Sequence, residues 1–220
     1  MTSMRRHEIF SQIERTGLVG IIRWHEAEVL VDIAQALYEG GMAAVEITLN
    51  SQGALAGITR LRQTLCTSDC LIGAGSVMSA DDVHRAVDAG AQFIVSPTFK
   101  PEVVKTGIES GVLVFPGALT PGEILAAWDS GADMVKVFPA NFFGPQYIRE
   151  LLAPMSFLKL MPTGGVNNQN MTEYFSSGAC CVAMGGTLVS RQYVETRDWM
   201  GLAAHARRYV ELAVKCKAGG

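Results

Sequence analysis

The chain has 220 residues, 49% of them hydrophobic, which is enough for one large core, and α/β barrels of this length commonly form a single domain. A net charge of −3 without any basic run argues against nucleic-acid and membrane-surface partners, and no apolar stretch approaches the ~20 residues of a membrane-spanning helix. Five cysteines, an odd number, and an N-terminus without the apolar segment of a secretory signal lead us to expect a reduced cytoplasmic protein.

In chain order, the pattern predicts an N-terminal helix over about residues 4–16 and a first strand over 18–23 that ends in Arg23. After that one unit recurs: an amphipathic segment, a Gly-containing turn, and a short apolar strand. The turns are Glu39-Gly40-Gly41, Ala89-Gly90-Ala91, Ser110-Gly111, Ser130-Gly131-Ala132 and Ser177-Gly178-Ala179. Glycine after a helical run is the expected left-handed terminus. The strands that follow these turns are 44–49, 93–96, 112–115, 134–138 and 181–184, with two more at 70–74 and 158–161. A C-terminal helix is predicted over about 198–214, with Leu202, Ala206, Tyr209, Val210 and Ala213 on one side. Eight strands at intervals of roughly 20 to 27 residues, each separated by helix-length sequence, match a (β/α)8 TIM barrel filling residues 1–220 as one domain. A doubly wound sheet is the rival fold. It calls for a glycine-rich fingerprint after the first strand, where this chain has Arg23-Trp24-His25-Glu26.

In a barrel the chemistry sits at the C-terminal ends of the strands, and that rule ranks the polar residues. Lys136 interrupts the apolar sixth strand, Met134-Val135-Lys136-Val137-Phe138-Pro139. Burial there would lower its pKa and make it a nucleophile able to form a Schiff base; the other reading is a strand-end lysine reaching solvent. Glu46 interrupts the second strand, diametrically opposite in a ring of eight, as a proton relay or as half of a structural ion pair. Arg23 could clamp a substrate carboxylate or lie on the surface. In Gly73-Ala74-Gly75-Ser76 the glycines would allow close backbone approach, and the Ser76 hydroxyl could bind a carboxylate oxygen. The pairs Gly164-Gly165 and Gly185-Gly186 follow the last two strands, where barrels often bind phosphate, although two tight turns would read the same. Pro97, Pro116 and Pro139 follow strands and mark the rim, with Phe138 as a possible wall. The four histidines (His7, His25, His84, His205) have no metal-ligand spacing, and Cys66 and Cys70 have no zinc partners near them.

Taken together these residues resemble the family of 2-keto-3-deoxy-6-phosphogluconate (KDPG) and 4-hydroxy-2-oxoglutarate (KHG) aldolases. The matching pieces include Val45-Glu46-Ile47-Thr48-Leu49, Gly73-Ala74-Gly75-Ser76-Val77, Ile94-Val95-Ser96-Pro97, Phe115-Pro116-Gly117, Val135-Lys136-Val137-Phe138-Pro139 and Pro162-Thr163-Gly164-Gly165-Val166, in the family's order from about residue 14 to 190. The resemblance implies a (β/α)8 barrel, usually a homotrimer, that cleaves a phosphorylated 2-keto-3-deoxy sugar acid to pyruvate and D-glyceraldehyde 3-phosphate without metal or cofactor. It implies that Lys136 is the Schiff-base lysine and Glu46 the general acid/base. Thr163 and Ser76 would lie around the pyruvate moiety, and Gly164, Gly165, Gly185, Gly186 and Thr187 around the phosphate. Several members carry an arginine four residues after the glutamate; here that position is Asn50. Members resembling 2-dehydro-3-deoxy-6-phosphogalactonate aldolases have Asn there and an arginine ending the first strand, as Arg23 does. Gluconate-type, galactonate-type and unphosphorylated 4-hydroxy-2-oxoglutarate substrates therefore all stay open, beside an isomerase or epimerase that shares only the glycine loops and a barrel that only binds.

Overall fold

Every strand of this protein is buried on both faces, and alternate residues go to two separate cores. In the computed structural model, which describes residues 6–65 and 69–218, the chain begins with α1 (Arg6–Thr16), β1 (Leu18–Ile22), α2 (Val29–Glu39), β2 (Ala44–Thr48), α3 (Ala54–Thr64) and β3 (Leu71–Gly75). It continues through α4 (Ala80–Asp88), β4 (Phe93–Val95), α5 (Pro101–Glu109), β5 (Leu113–Phe115), β6 (Gly117–Ala118) and α6 (Pro121–Asp129). Then come β7 (Val135–Val137), a 3-10 turn (Ala140–Phe142), α7 (Gly144–Leu152), β8 (Leu160–Pro162), α8 (Met171–Ser176), β9 (Val182–Met184), α9 (Arg191–Glu195) and α10 (Trp199–Ala218). Residues 4 and 5 of the expected first helix, and Cys66, lie outside the described residues.

The result is an α/β fold with a curled parallel sheet and helices on its outer face. One sheet runs β5-β4-β3-β2-β1-β9 and a second runs β6-β7-β8, with every pairing parallel. Outward residues such as Val45, Ile47, Ile72, Ala74, Val135 and Val137 pack with the helices. Inward residues, among them Val19, Ile21, Ala44, Leu71, Phe93, Phe115, Met134, Met161 and Ala183, form an inner core. This two-sided burial is why the strands read as near-continuous apolar runs rather than alternating ones.

Ile9 and Ile13 of α1 join the inner core, so the first helix closes the end of the sheet where the strands begin. It is fixed there by Arg6 to Asp133 (2.5 Å), Lys159 to Glu14 (2.6 Å), and a hydrogen bond from buried Gln12 to the Asp69 carbonyl. The ends where the strands finish are left as the open mouth. α10 covers α2, α8 and α1 with Leu202, Ala206, Tyr209 and Ala213, on the side that the sequence indicates. It reaches Ala218, four residues past the expected end. No helix among the described residues is long and apolar enough to cross a membrane.

One strand appears that the sequence does not predict. Pro116 follows β5 as the sequence predicts, but instead of marking the rim it leads directly into β6, and the chain changes partner: β5 pairs with β4, and β6 with β7. Proline has no N–H for a ladder, yet its carbonyl accepts the Lys136 N–H (2.9 Å). Gly117 then passes so close to the Pro97 backbone that a Cβ would lie 2.3 Å from its carbonyl. The expected sixth strand is therefore β7 in this numbering.

The glycines of β3 also serve a purpose different from the expected one. Gly73 and Gly75 alternate with the outward residues Ile72 and Ala74, and the space they leave is filled by protein rather than by ligand. A Cβ on Gly73 would meet the Phe93 ring at 2.4 Å, and one on Gly75 would meet Glu46 Oε1 at 2.6 Å. Placing alanine in a strand ordinarily stabilises through the unfolded state. Here Gly73→Ala is expected to cost about 1–3 kcal/mol in urea unfolding through overpacking. Adding Phe93→Leu should recover part of the loss. A Gly73→Ala protein as stable as the parent would contradict this packing.

Candidate active site

The inner core ends in polar residues at the mouth. Glu46 follows the inward residue Ala44 by two positions on β2, and Lys136 follows the inward residue Met134 by two on β7, so the strand period turns both side chains inward. Glu46 is 1% exposed and Lys136 is 6% exposed. Burial pushes the Glu46 carboxyl above the usual carboxylate range, opposed by the positive charges of Lys136 and Arg23. Burial likewise pulls the Lys136 ammonium below the ordinary lysine value; the Glu46 charge opposes this and the Arg23 charge adds to it. No direct ion pair joins Lys136 to Glu46 among the described residues, and Glu46 Oε2 is buried without a hydrogen-bond partner there. Two charged groups whose desolvation is not offset by a contact are each driven toward neutrality.

Above them opens a cavity of about 530 Å³. Its walls hold Lys136, Arg23, Ser76, Pro97, Phe138 and Thr163, together with the Gly164-Gly165 and Gly185-Gly186-Thr187 loops. The structure thus brings these candidate residues together, whereas Pro116 and Pro139 do not line the cavity and Glu46 lies out of the wall, wedged against Gly75. Asn50 is exposed and outside the cavity, whereas Arg23 lines it. The Lys136 Nζ stands 5.1 Å from the centroid of the Phe138 ring, which can share a positive charge formed on that nitrogen. Phe138 leads into a cis peptide to Pro139. Ser76 has the left-handed backbone (φ 56) that a serine seldom adopts, at the point where β3 turns into the cavity wall.

Arg23 is held from behind. Thr48 Oγ1 donates to the Ile22 carbonyl (3.3 Å) and lies 3.0 Å from Ser51 Oγ, which in turn accepts the Trp24 N–H (3.2 Å). Backbone on both sides of Arg23 is therefore tied to the end of β2. The sequence offered Thr48 and Ser51 only as hydroxyls near a strand end, and nothing there marked them as a clamp.

The two glycine loops differ from each other. Gly164 and Gly165 hold φ values of 93° and 75°, and a Cβ on Gly165 would lie 2.5 Å from that of Asn141, so glycine is required sterically. The Gly165 carbonyl is bound by Asn170 Nδ2 (2.9 Å) and Asn167 Nδ2 (3.2 Å), a pair recognisable in hindsight from its spacing of three after the glycines. Gly186, by contrast, has an ordinary φ, and an added Cβ would meet nothing within 4 Å. The Gly186 N–H makes no hydrogen bond among the described residues, while the parallel bridge from Thr163 to Ala183 engages the backbone at Gly164. Each glycine pair lies between a strand and a following helix, but α8 begins only at Met171 and α9 at Arg191, both are short, and an anion here would meet loop N–H groups rather than a helix terminus. The Thr187 hydroxyl donates to the Val166 carbonyl (2.9 Å), so toward the cavity it offers only its oxygen and its backbone.

His25 is exposed, lies 3.4 Å from Glu26 and does not line the cavity. No cluster of metal-ligating residues occurs among the described residues. A second cavity, about 710 Å³, lies at the opposite end beside α1, lined by Phe10, Leu113 and Trp128 with the Arg6–Asp133 pair. It is larger, but Lys159 on its wall is held in the charged form by Glu14 (2.6 Å) rather than driven toward a neutral amine, so the mouth is the candidate site.

Comparison with known proteins agrees with this geometry. The family model described as KDPG and KHG aldolase matches residues 9–204. A 2-dehydro-3-deoxy-phosphogluconate aldolase of Treponema pallidum is 32% identical, over 93% of this chain and 97% of its own. A 2-dehydro-3-deoxy-6-phosphogalactonate aldolase of Escherichia coli is 31% identical, over 88% of this chain and 95% of its own. Among solved structures, a KDPG aldolase from Legionella pneumophila, captured with pyruvate as a covalent carbinolamine, superposes with a TM-score of 0.84 at 27% identity, covering 93% of this chain and 98% of that one. With a cavity walled by Lys136 and Arg23, and a family match spanning almost its whole length, the chain belongs to the KDPG and KHG aldolase family.

Proposed function

We propose that this protein is a class I aldolase that cleaves a 2-keto-3-deoxy-6-phospho sugar acid to pyruvate and D-glyceraldehyde 3-phosphate. The observation that carries the reading is the buried amine of Lys136, opening on a cavity that also holds the Arg23 guanidinium and the two glycine loops.

In this scheme the neutral Lys136 Nζ adds to the C2 ketone, and loss of water gives a protonated imine. The C3–C4 bond then breaks with its electron pair moving into the imine, which becomes an enamine. Glu46, directly or through one water, takes the C4 hydroxyl proton as the aldehyde forms, and returns a proton to C3. Hydrolysis of the pyruvate imine frees Lys136. The burial that raises the Glu46 pKa suits a carboxyl that must hold a proton between two steps. Arg23 and Ser76 take the substrate carboxylate, Thr163, Pro97 and Phe138 shape the pocket around the pyruvate end, and the loops at Gly164-Gly165 and Gly185-Gly186-Thr187 take the phosphate through backbone N–H groups. The scheme needs neither metal nor cofactor.

A second reading, the galactonate-configured substrate, is favoured by one observation: Arg23 lines the cavity and Asn50 does not. We further propose that the sheet closes as an eight-stranded barrel in a single domain over residues 1–220. The parallel bridge from Thr163 to Ala183, and the passage of β5 into β6 across Pro116, support closure. A cytoplasmic homotrimer is the assembly and setting that accord with the family resemblance and the odd cysteine count.

The test is pyruvate release from both C4-epimeric phosphorylated substrates and from 4-hydroxy-2-oxoglutarate, in EDTA. At least one phosphorylated epimer should turn over, Lys136→Ala should abolish the reaction, and Glu46→Gln should lower kcat by about 10²- to 10⁴-fold. Equal turnover by Lys136→Ala would overturn the proposal.

The pH dependence of imine formation with pyruvate follows from the three charges. Addition needs the neutral amine, so the rate rises with pH through a limb that burial places below the ordinary lysine value of 10.5. Glu46→Gln removes the charge that favours the ammonium and should move the limb to lower pH. Arg23→Gln removes a charge that disfavours it and should move the limb higher. A limb unmoved by both variants would mean that these groups do not share one field.

A further inference from the structure

The loop after β9 is tied to a residue that the proposed chemistry leaves unused. His205 lies on α10, outside the cavity, and its Nε2 is 2.9 Å from the Thr187 carbonyl oxygen. Its Nδ1 is 3.2 Å from Arg208 Nη2. Arginine only donates, so Nδ1 accepts, and the ring proton sits on Nε2 where it is donated to Thr187. The ring is held by Tyr193 of α9 and Tyr209 of α10, with centroids 5.5 and 5.1 Å away. The tautomer and the direction of the imidazole are therefore both set.

Thr187 passes the constraint onward. While its carbonyl is held by His205, its hydroxyl donates to the Val166 carbonyl (2.9 Å), next to Gly164-Gly165. One histidine thus anchors both glycine loops to the long C-terminal helix through a single threonine. On the far side of Thr187 the buried Leu188 and Val189 anchor the loop in the core, which leaves the Gly185-Gly186-Thr187 stretch to be held at Thr187 itself. Inside it, the Leu188 and Val189 N–H groups close back on the Gly185 carbonyl (2.9 and 2.8 Å), and Gly186 has no side chain and no neighbour within 4 Å of a Cβ position. A short loop with a glycine at its tip samples many backbone directions, and aiming its N–H groups at one point requires an external restraint.

We propose that His205 is a positioning residue that aims the Gly185-Gly186-Thr187 N–H groups and thereby sets the affinity of this site for a phosphate group. The proposal rests on the reading that these loops hold the phosphate, and it adds the element that makes them competent. It predicts a split: variants at His205 weaken phosphate binding and leave imine formation with pyruvate, which carries no phosphate, at the parent rate.

The experiment measures inorganic phosphate binding by isothermal titration on the full chain for the parent, His205→Phe and His205→Gln, with pyruvate trapping run beside it. Phenylalanine keeps the ring packing against the two tyrosines and removes the donor, and glutamine restores a side-chain N–H. Loss of one hydrogen bond corresponds to about a fivefold weaker Kd in His205→Phe, largely recovered in His205→Gln. Thr187→Val removes the onward bond to Val166 and should weaken phosphate binding similarly, which keeps the test available if His205→Phe does not fold. Phosphate bound equally by the parent, His205→Phe and Thr187→Val would overturn the positioning role and leave the phosphate loops standing. A parent that binds no phosphate would overturn the loop reading, and the His205 proposal with it. Equal losses of phosphate binding and pyruvate trapping would mean a general structural effect, which also contradicts the proposal.

Discussion

Two ionisable side chains, Lys136 and Glu46, are held inside the curled sheet largely withdrawn from water, and the surrounding structure has to accommodate that cost. Burying either charge unpaired is expensive by several kcal/mol, so each pKa moves toward the neutral form. Alternation along parallel strands requires the burial. The same period that sends Val135 and Val137 to the helices sends Lys136 inward, and it does so for Glu46 between Val45 and Ile47. Gly75 then leaves room for the carboxylate, while Gly73 leaves room for Phe93 underneath it. A packed lower layer and a reactive upper layer follow from two glycines on one strand.

The mouth has a division of labour that follows from the same logic. Groups that would meet a carboxylate or a carbonyl are side chains on strand ends, and these are fixed by the sheet or by short clamps such as Thr48 with Ser51 behind Arg23. Groups that would meet a phosphate are backbone N–H groups in loops, and loops need restraint from elsewhere. Asn167 and Asn170 supply it for the loop after β8 by binding the Gly165 carbonyl, and Thr187 links that loop to the one after β9. The closing helix α1 seals the opposite end, where the charged groups are paired with one another, Arg6 with Asp133 and Lys159 with Glu14.

Much of this was legible in the sequence, and the reasons differ by feature. Helix–turn–strand repetition and the glycine turns are local signals, so the order of elements was readable, as was the inward pair at Lys136 and Glu46 once the strands were counted. What escaped depended on contacts far apart in the chain. Pro116 reads as the end of a strand, and only the pairing of β6 with β7 reveals that it is a change of partner. The glycines of β3 read as open space because Phe93 and Glu46 are 20 and 29 residues distant from Gly73 and Gly75 respectively. That the asparagine turn and the Thr187 turn separate each late glycine pair from its helix was likewise not readable locally. His205 carried no signal at all: a lone histidine on an amphipathic helix has no spacing partner until Thr187 is placed beside it.

The central claim is that Lys136, and no other amine, forms a covalent imine. The most direct measurement is intact mass after incubation with pyruvate and borohydride, followed by peptide mapping, with Lys136→Ala beside the parent. One pyruvate-sized adduct mapping to the peptide that holds Lys136, and absent from the variant, is the predicted result. No adduct on the parent, or an equal adduct on the variant, would contradict the account.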